Sequence, residues 1–143
     1  MPDAPAPYGD IEKLLLDWAE PLWPGIALNN ELPYNLTYQT DLLVISRLGG
    51  PMGAVPGMDT PMIDVDVFAV GRDRAKALAI EVTTAVRHRL TGVALSDNAT
   101  RVKAVRSVAG VALRAWDNTD LRRFGATFAL TTQTLIHLTQ PLT

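Results

Sequence analysis

Residues 61–92 read PMIDVDVFAVGRDRAKALAIEVTTAVRHRLTG, and the spacing of apolar residues changes partway through. From Met62 to Val70 the chain alternates: Ile63, Val65, Val67 and Ala69 fall on one side, Asp64, Asp66 and Phe68 on the other. A two-residue repeat predicts a strand with one face in a core. Gly71 breaks it, and beyond it Ala75, Leu78, Ala79, Val82, Ala85, Val86 and Leu90 recur three and four apart until Gly92. That spacing predicts an amphipathic helix ended by glycine, with Arg74, Lys76, Glu81, Arg87 and Arg89 off the apolar stripe. About 20 residues at 1.5 Å each give a helix on the order of 30 Å long, enough to be the main packing partner of a sheet.

Upstream of this stretch, DLLVISRL at residues 41–48 reads as a strand bounded by Gly49-Gly50-Pro51. Between the two strands, residues 49–61 hold four glycines and three prolines, which excludes a helix or a central strand. A connection this long between strands that can pair as a hairpin is usually functional or mobile. Nearer the start, Asp10 is suited to cap a helix over residues 10–20, in which Ile11, Leu14, Leu15 and Trp18 form the stripe. Pro21 and Pro24 stop it, and an ordered connection runs on to Thr40 with a short strand expected near Ile26 to Leu28. A Pro-rich leader, residues 1–9, precedes it.

Downstream, a polar turn at residues 96–100 leads into a long strand from Arg101 to Trp116 with a defect at Gly110, where a bulge is expected. After a turn at residues 117–120, Phe124, Ala126, Phe128 and Leu130 begin the longest alternating run, which continues to His137. The expectation is one α+β domain over residues 1–143, in the order α-β-β-α-β-β. Its sheet is four-stranded, antiparallel or mixed, and is packed by one long helix and a short N-terminal helix.

The 143 residues include 48% hydrophobic and 20% charged residues, a globular composition. Without cysteine, disulfide scaffolds, thiol catalysis and thiolate metal sites are excluded. No apolar run approaches the roughly 20 residues of a membrane span, and Met1-Pro2-Asp3-Ala4-Pro5 lacks the segments of a signal peptide, so no membrane partner is expected. The net charge of −2 argues against a dedicated nucleic-acid binder. It also hides a split: ten acids against two bases before Gly71 give −8, and eleven bases against five acids from Gly71 onward give +6.

Asp64 and Asp66 share a strand face, but two carboxylates hold a divalent ion weakly, and His88 and His137 have no companion at ligand spacing. Alternate acids there mark a solvent-facing or subunit-facing side, and no metal is expected. Ser46, Ser96 and Ser107 lie in no nucleophile elbow, and His88 sits between Arg87 and Arg89, which disfavour the imidazolium. The Gly-rich loop lacks the Lys and Ser/Thr of a phosphate-binding loop. No catalytic set and no cofactor site emerges, so the domain is expected to work by binding, not as an enzyme. Trp18, Trp23 and Trp116 read as core or interface plugs. Arg101, Lys103, Arg106, Arg114, Arg122 and Arg123 concentrate on the last strand pair. They are open to three readings: attraction to phosphates, an edge kept basic against aggregation, or attraction to the acidic half of another copy.

Four stretches together, DIEKLLLDWAEPLWPG from residue 10, LLVISRLGGP from residue 42, residues 61–92 and RRFGATFALTTQT from residue 122, resemble the tail terminator proteins of long-tailed phages, particularly those infecting actinobacteria. The resemblance covers residues 10–134 and is most specific at residues 62–92. It implies a virion protein, assembled in the host cytoplasm and placed at the head-proximal end of the tail. Such proteins form a ring, usually a hexamer, that caps the tail tube, stops tube-subunit addition and offers a docking surface to the head connector, with DNA passing non-specifically through the centre. Its expected partners are itself, the tail-tube protein and the connector. Heterologous ring closure needs two complementary surfaces. The charge split supplies a candidate pair: Asp64 and Asp66 of one copy against Arg101, Lys103, Arg122 and Arg123 of the next. The loop is a candidate arm to a neighbour or the tube, through Gly49, Gly50, Pro51, Met52, Gly53, Val55, Pro56 and Met58. A head-side connector or head-closure protein, a tail-tube subunit and a small ligand-binding enzyme are the alternatives.

Overall fold

The computed structural model describes residues 10–32, 41–49, 57–115 and 121–135. The leader at 1–9, most of the 49–61 loop, Trp116, the turn at 117–120 and His137 lie outside the described residues. Helix α1 (Ile11–Ala19) starts where Asp10 accepts the Lys13 backbone N–H at 3.3 Å, and it buries Ile11, Leu14, Leu15 and Ala19. Trp18 is only half-buried and meets Trp23 edge-on, with ring centroids 6.0 Å apart. Helix α2 (Arg72–Arg89) follows Gly71, whose φ of +83° lets the chain turn from strand to helix within two residues. All seven residues of its expected stripe are buried. Arg87 and Arg89 occupy the last turn, where cations suit the helix dipole. Each fully buried leucine or valine of this kind contributes about 1.5–3 kcal/mol.

The α+β class stands, but the sheet is larger than four strands. Among the described residues it has six: β1 (Ala27–Asn29), β2 (Leu42–Leu48), β3 (Met58–Asp59), β4 (Met62–Ala69), β5 (Thr100–Arg114) and β6 (Arg122–Thr134). Across it the order is β1-β2-β4-β6-β5, with β3 continuing the β4 side of β6 beyond the end of β4. β1 is parallel to β2 and every other pairing is antiparallel, so the sheet is mixed. The two additional strands have three and two residues, too few for a two-residue repeat to show. β3 lies inside the segment expected to be loop, and it forms because Met58 and Asp59 find partners in Gln133 and Thr132 of the longer β6.

α1 packs on β1 and β2, and α2 on β4, β5 and β6, so both helices cover one face of the sheet. Ile63, Val65, Val67 and Ala69 point there with Leu43, Ile45, Phe124, Ala126, Phe128 and Leu130, forming the main core. The register puts the alternate residues of β4 on the opposite face, where Phe68 clusters with Leu42 and Val44.

Candidate assembly interface

On that opposite face the two acids of β4 meet the bases of the last strands within one chain. Asp66 pairs across the ladder with Gly125, Asp64 with Thr127, and Arg114 of β5 with Arg123 of β6. Because Gly125 has no side chain, Arg114 can reach from β5 over β6 to β4. A Cβ at Gly125 would overlap the Asp66 carboxylate and stand 3.0 Å from Arg114 Nε. Arg114 Nη1 lies 3.0 Å from Asp66 Oδ1 and 3.1 Å from Asp64 Oδ1, and its Nη2 donates to Thr127 Oγ1 at 2.9 Å. Arg123 completes the seam, its Nε donating to Asp66 Oδ1 at 3.1 Å and its Nη2 to Oδ2 at 3.0 Å. Thr127 in turn donates to Asp64.

Asp66 is only 3% exposed and accepts from the guanidiniums of both Arg114 and Arg123. Hydrogen bonds from Arg123 to Asp66 raise the Arg123 pKa, against the opposing effect of burial. Arg123 also sits over the Phe68 ring, 5.7 Å from its centroid. Removing one partner from such a group strands the others in a site poorly reached by water.

A second buried acid anchors the end of the Gly/Pro-rich connection. Asp59, 3% exposed, accepts from Arg47 Nη1 at 2.9 Å and Nη2 at 3.3 Å, tying β3 to β2. The Arg47 backbone N–H donates to Glu12 of α1 at 2.8 Å, and the Thr134 N–H to Gly57 O at 2.7 Å.

β5 is pinned at both ends and exposed between them. At its start the Thr100 hydroxyl donates to Asp97 at 2.7 Å and lies 3.1 Å from the Thr134 hydroxyl, while Val102 is fully buried. At its far end Arg114 holds it to β4. From Lys103 to Gly110 every residue except the half-buried Val105 is exposed. Three register shifts interrupt this strand, between Val102 and Ala104, Ser107 and Ala109, and Ala109 and Ala112. The last contains the irregularity expected at Gly110. Lys103 and Val108 are thus left out of the ladder with β6.

The residues singled out from the sequence separate accordingly. Asp64, Asp66 and Arg123 come together in the seam. Arg101, Lys103 and Arg122 are exposed, and Arg101 Nη1 donates to Gly92 O at 2.8 Å. Of the arm residues, Gly49 is exposed at the end of β2 and Met58 is half-buried in β3; Gly50, Pro51, Met52, Gly53, Val55 and Pro56 lie outside the described residues. Arg114 was visible in sequence only as one base among six, and Gly125, Thr127 and the Arg47–Asp59 pair gave no signal, since strand register alone brings them to their partners.

Residues 7–139 match the family model described as "Phage tail termination protein". The chain belongs to that family. The protein is therefore a structural component of a phage virion, placed at the end of the tail. No curated protein matches the sequence significantly. Among solved structures it is similar to a chain of "Virion of native gene transfer agent (GTA) particle", at 19% identity and a TM-score of 0.50, covering 86% of this chain and 90% of that one. At that identity the likeness speaks for the fold, which this tail terminator family member shares with a chain of that virion.

Proposed function

We propose that this tail terminator family member closes into a ring, a hexamer, on the head-proximal end of the tail tube, stops the addition of tube subunits and presents its other side to the head connector. DNA passes through the centre without sequence-specific contact. The observation that carries the reading is the family match over residues 7–139. It is supported by a sheet whose two outer strands differ in chemistry, as a heterologous ring joint requires. The exposed bases Arg101, Lys103 and Arg122 belong to that joint. Asp64, Asp66 and Arg123 serve it by holding β4, β5 and β6 in register.

Native mass spectrometry of the full chain, alone and with its tail-tube protein, tests the reading. A closed six-fold species that arrests tube elongation at substoichiometric amounts is expected. A twelve-fold ring favours the connector reading, and a monomer that leaves elongation unchanged counts against ring capping. The connection between β2 and β3 is the proposed arm to a neighbour or the tube. Its shortening should leave the monomer folded and abolish arrest; unchanged arrest removes it from the mechanism.

A further inference from the structure

Among the described residues β1 and β5 are the outer strands of the sheet; residues 92–95 bond to the start of β5, and beyond Val102 its free side faces away from that of β1. Beside β1, against the end of α1, lies a groove of about 380 Å³. Leu16, Trp23, Ile26 and Leu28 give it an apolar lining, and Asp17 and Glu20 add acids. Asp17 is already engaged by Lys13 and Ser96, whereas Glu20 and Glu31, the latter two residues beyond β1, are exposed. β5 presents the converse: Lys103 and Arg106 are exposed, and Val108 between them and the far end is 44% exposed. Among the described residues, none of Glu20, Glu31, Lys103 and Arg106 makes a side-chain hydrogen bond or ion pair.

We infer that the exposed middle of β5 in one copy docks onto the α1–β1 groove of a second copy, with Val108 over the apolar lining and Lys103 and Arg106 facing Glu20 and Glu31. The inference rests on the ring reading above and supplies its joint. The two surfaces are different and lie at opposite edges, so each joined copy still offers one free edge and one free groove until a ring closes. The bulges fit this mode. They interrupt the outer edge of β5 as a template for backbone pairing and leave recognition to side chains, which restricts open-ended strand addition.

The test uses the full-length chain and two variants, Lys103→Glu/Arg106→Glu and Glu20→Lys/Glu31→Lys, each compared with the wild type by thermal melting and native mass spectrometry. At concentrations where the wild type is monomeric each variant should melt like it, yet at higher concentration associate about 100-fold more weakly, because like charges then face each other at every joint. Mixed one to one, the variants should recover rings that alternate strictly and hold an even number of subunits, since each reversed surface again meets its opposite. Should a reversed variant not fold, the neutral Lys103→Ala/Arg106→Ala pair carries the test through rings that dissociate at lower salt. Rings that persist in both reversal variants, or folded variants that do not reassemble on mixing, overturn the joint while leaving ring formation intact. In the former case the bases act only as guards against edge aggregation. A wild-type chain that stays monomeric with and without tube protein overturns the ring reading itself, and this joint with it.

Discussion

β4 and β5 lie on either side of β6 and share its hydrogen bonds, yet every residue of β4 is at least half-buried while most of β5 is exposed. The difference begins in the side chains. β4 carries apolar residues on one face and two acids on the other, and acids so far from water need cations beside them. β5 supplies one, Arg114, at its far end, and β6 supplies another, Arg123. Between its two pinned ends β5 is bulged and bears charges with no ion-pair partner among the described residues. One flanking strand is fixed by contacts within the chain, whereas the other leaves the charges of its middle exposed. The charge split of the sequence therefore contains two populations: charges paired in the seam, and exposed charges such as Lys103 and Arg106, for which the joint inferred above supplies a partner.

The strongest way to break this contrast is Asp66→Ala. It leaves Arg114 and Arg123 without their shared carboxylate, and a loss of about 3–5 kcal/mol in chemical denaturation is expected. Were Asp66→Ala no costlier than a change to an exposed β5 base, the seam would not organise the sheet. Next comes Gly125→Ala. It keeps every charge but places a methyl where the Asp66 carboxylate lies, with an expected cost of about 1–3 kcal/mol. Because both changes act on one network, the double variant should cost less than the sum of the two, which a double-mutant cycle measures.

Much of the fold was legible because its elements are long. The strand-to-helix switch at Gly71 and the α2 stripe follow from periodicity alone, and all the stripe residues are buried. β1 and β3 are two or three residues long and exist through their partners, so local pattern could do little more than suggest β1 and could not show β3. The candidate site divides in the same way. Alternating acids on β4 showed that Asp64 and Asp66 share a face, but periodicity cannot tell a face turned to a neighbour from one turned to arginines of the same chain. That depends on register: Gly125 opposite Asp66, and Arg114 opposite Arg123, after three bulges in β5 have shifted the count. Each bulge moves the facing by one residue, so no reading of β5 as an ideal strand could place Arg114.

The start of β5 offers a smaller, pH-dependent test. Burial works against the charge of Asp97, but hydrogen bonds from the Thr100 hydroxyl and from the backbone N–H groups of Thr100 and Ala99 outweigh it and hold the carboxyl below its ordinary value of 3.8. A depressed folded-state pKa means that the stabilisation is present above the unfolded value and is lost as pH falls through the folded one. Asp97→Ala should therefore cost about 0.5–1 kcal/mol near neutral pH, and the gap from the wild type should close as the solution is acidified below the ordinary carboxylate range. A gap that stays constant down to low pH would mean that the turn is held by its backbone and not by the ionised carboxylate.

The smallest expected change in stability belongs to Lys103→Ala/Arg106→Ala, and it sharpens the contrast most. Both side chains are exposed, neither has an ion pair among the described residues, and Lys103 stands outside the β5–β6 ladder. Their loss should shift the unfolding free energy of the monomer by less than about 0.5 kcal/mol. If anything, removing neighbouring positive charges relieves repulsion along the strand. A pair that serves only the fold would show its effect in the denaturation midpoint and none in association, whereas charges left over from folding should do the reverse. Measured side by side at low salt, an unchanged midpoint together with weakened self-association would separate the exposed middle of β5 from the seam that anchors its end. A drop in the midpoint comparable to that of Asp66→Ala would mean that β5 is held along its whole length and has no part left free for a neighbour.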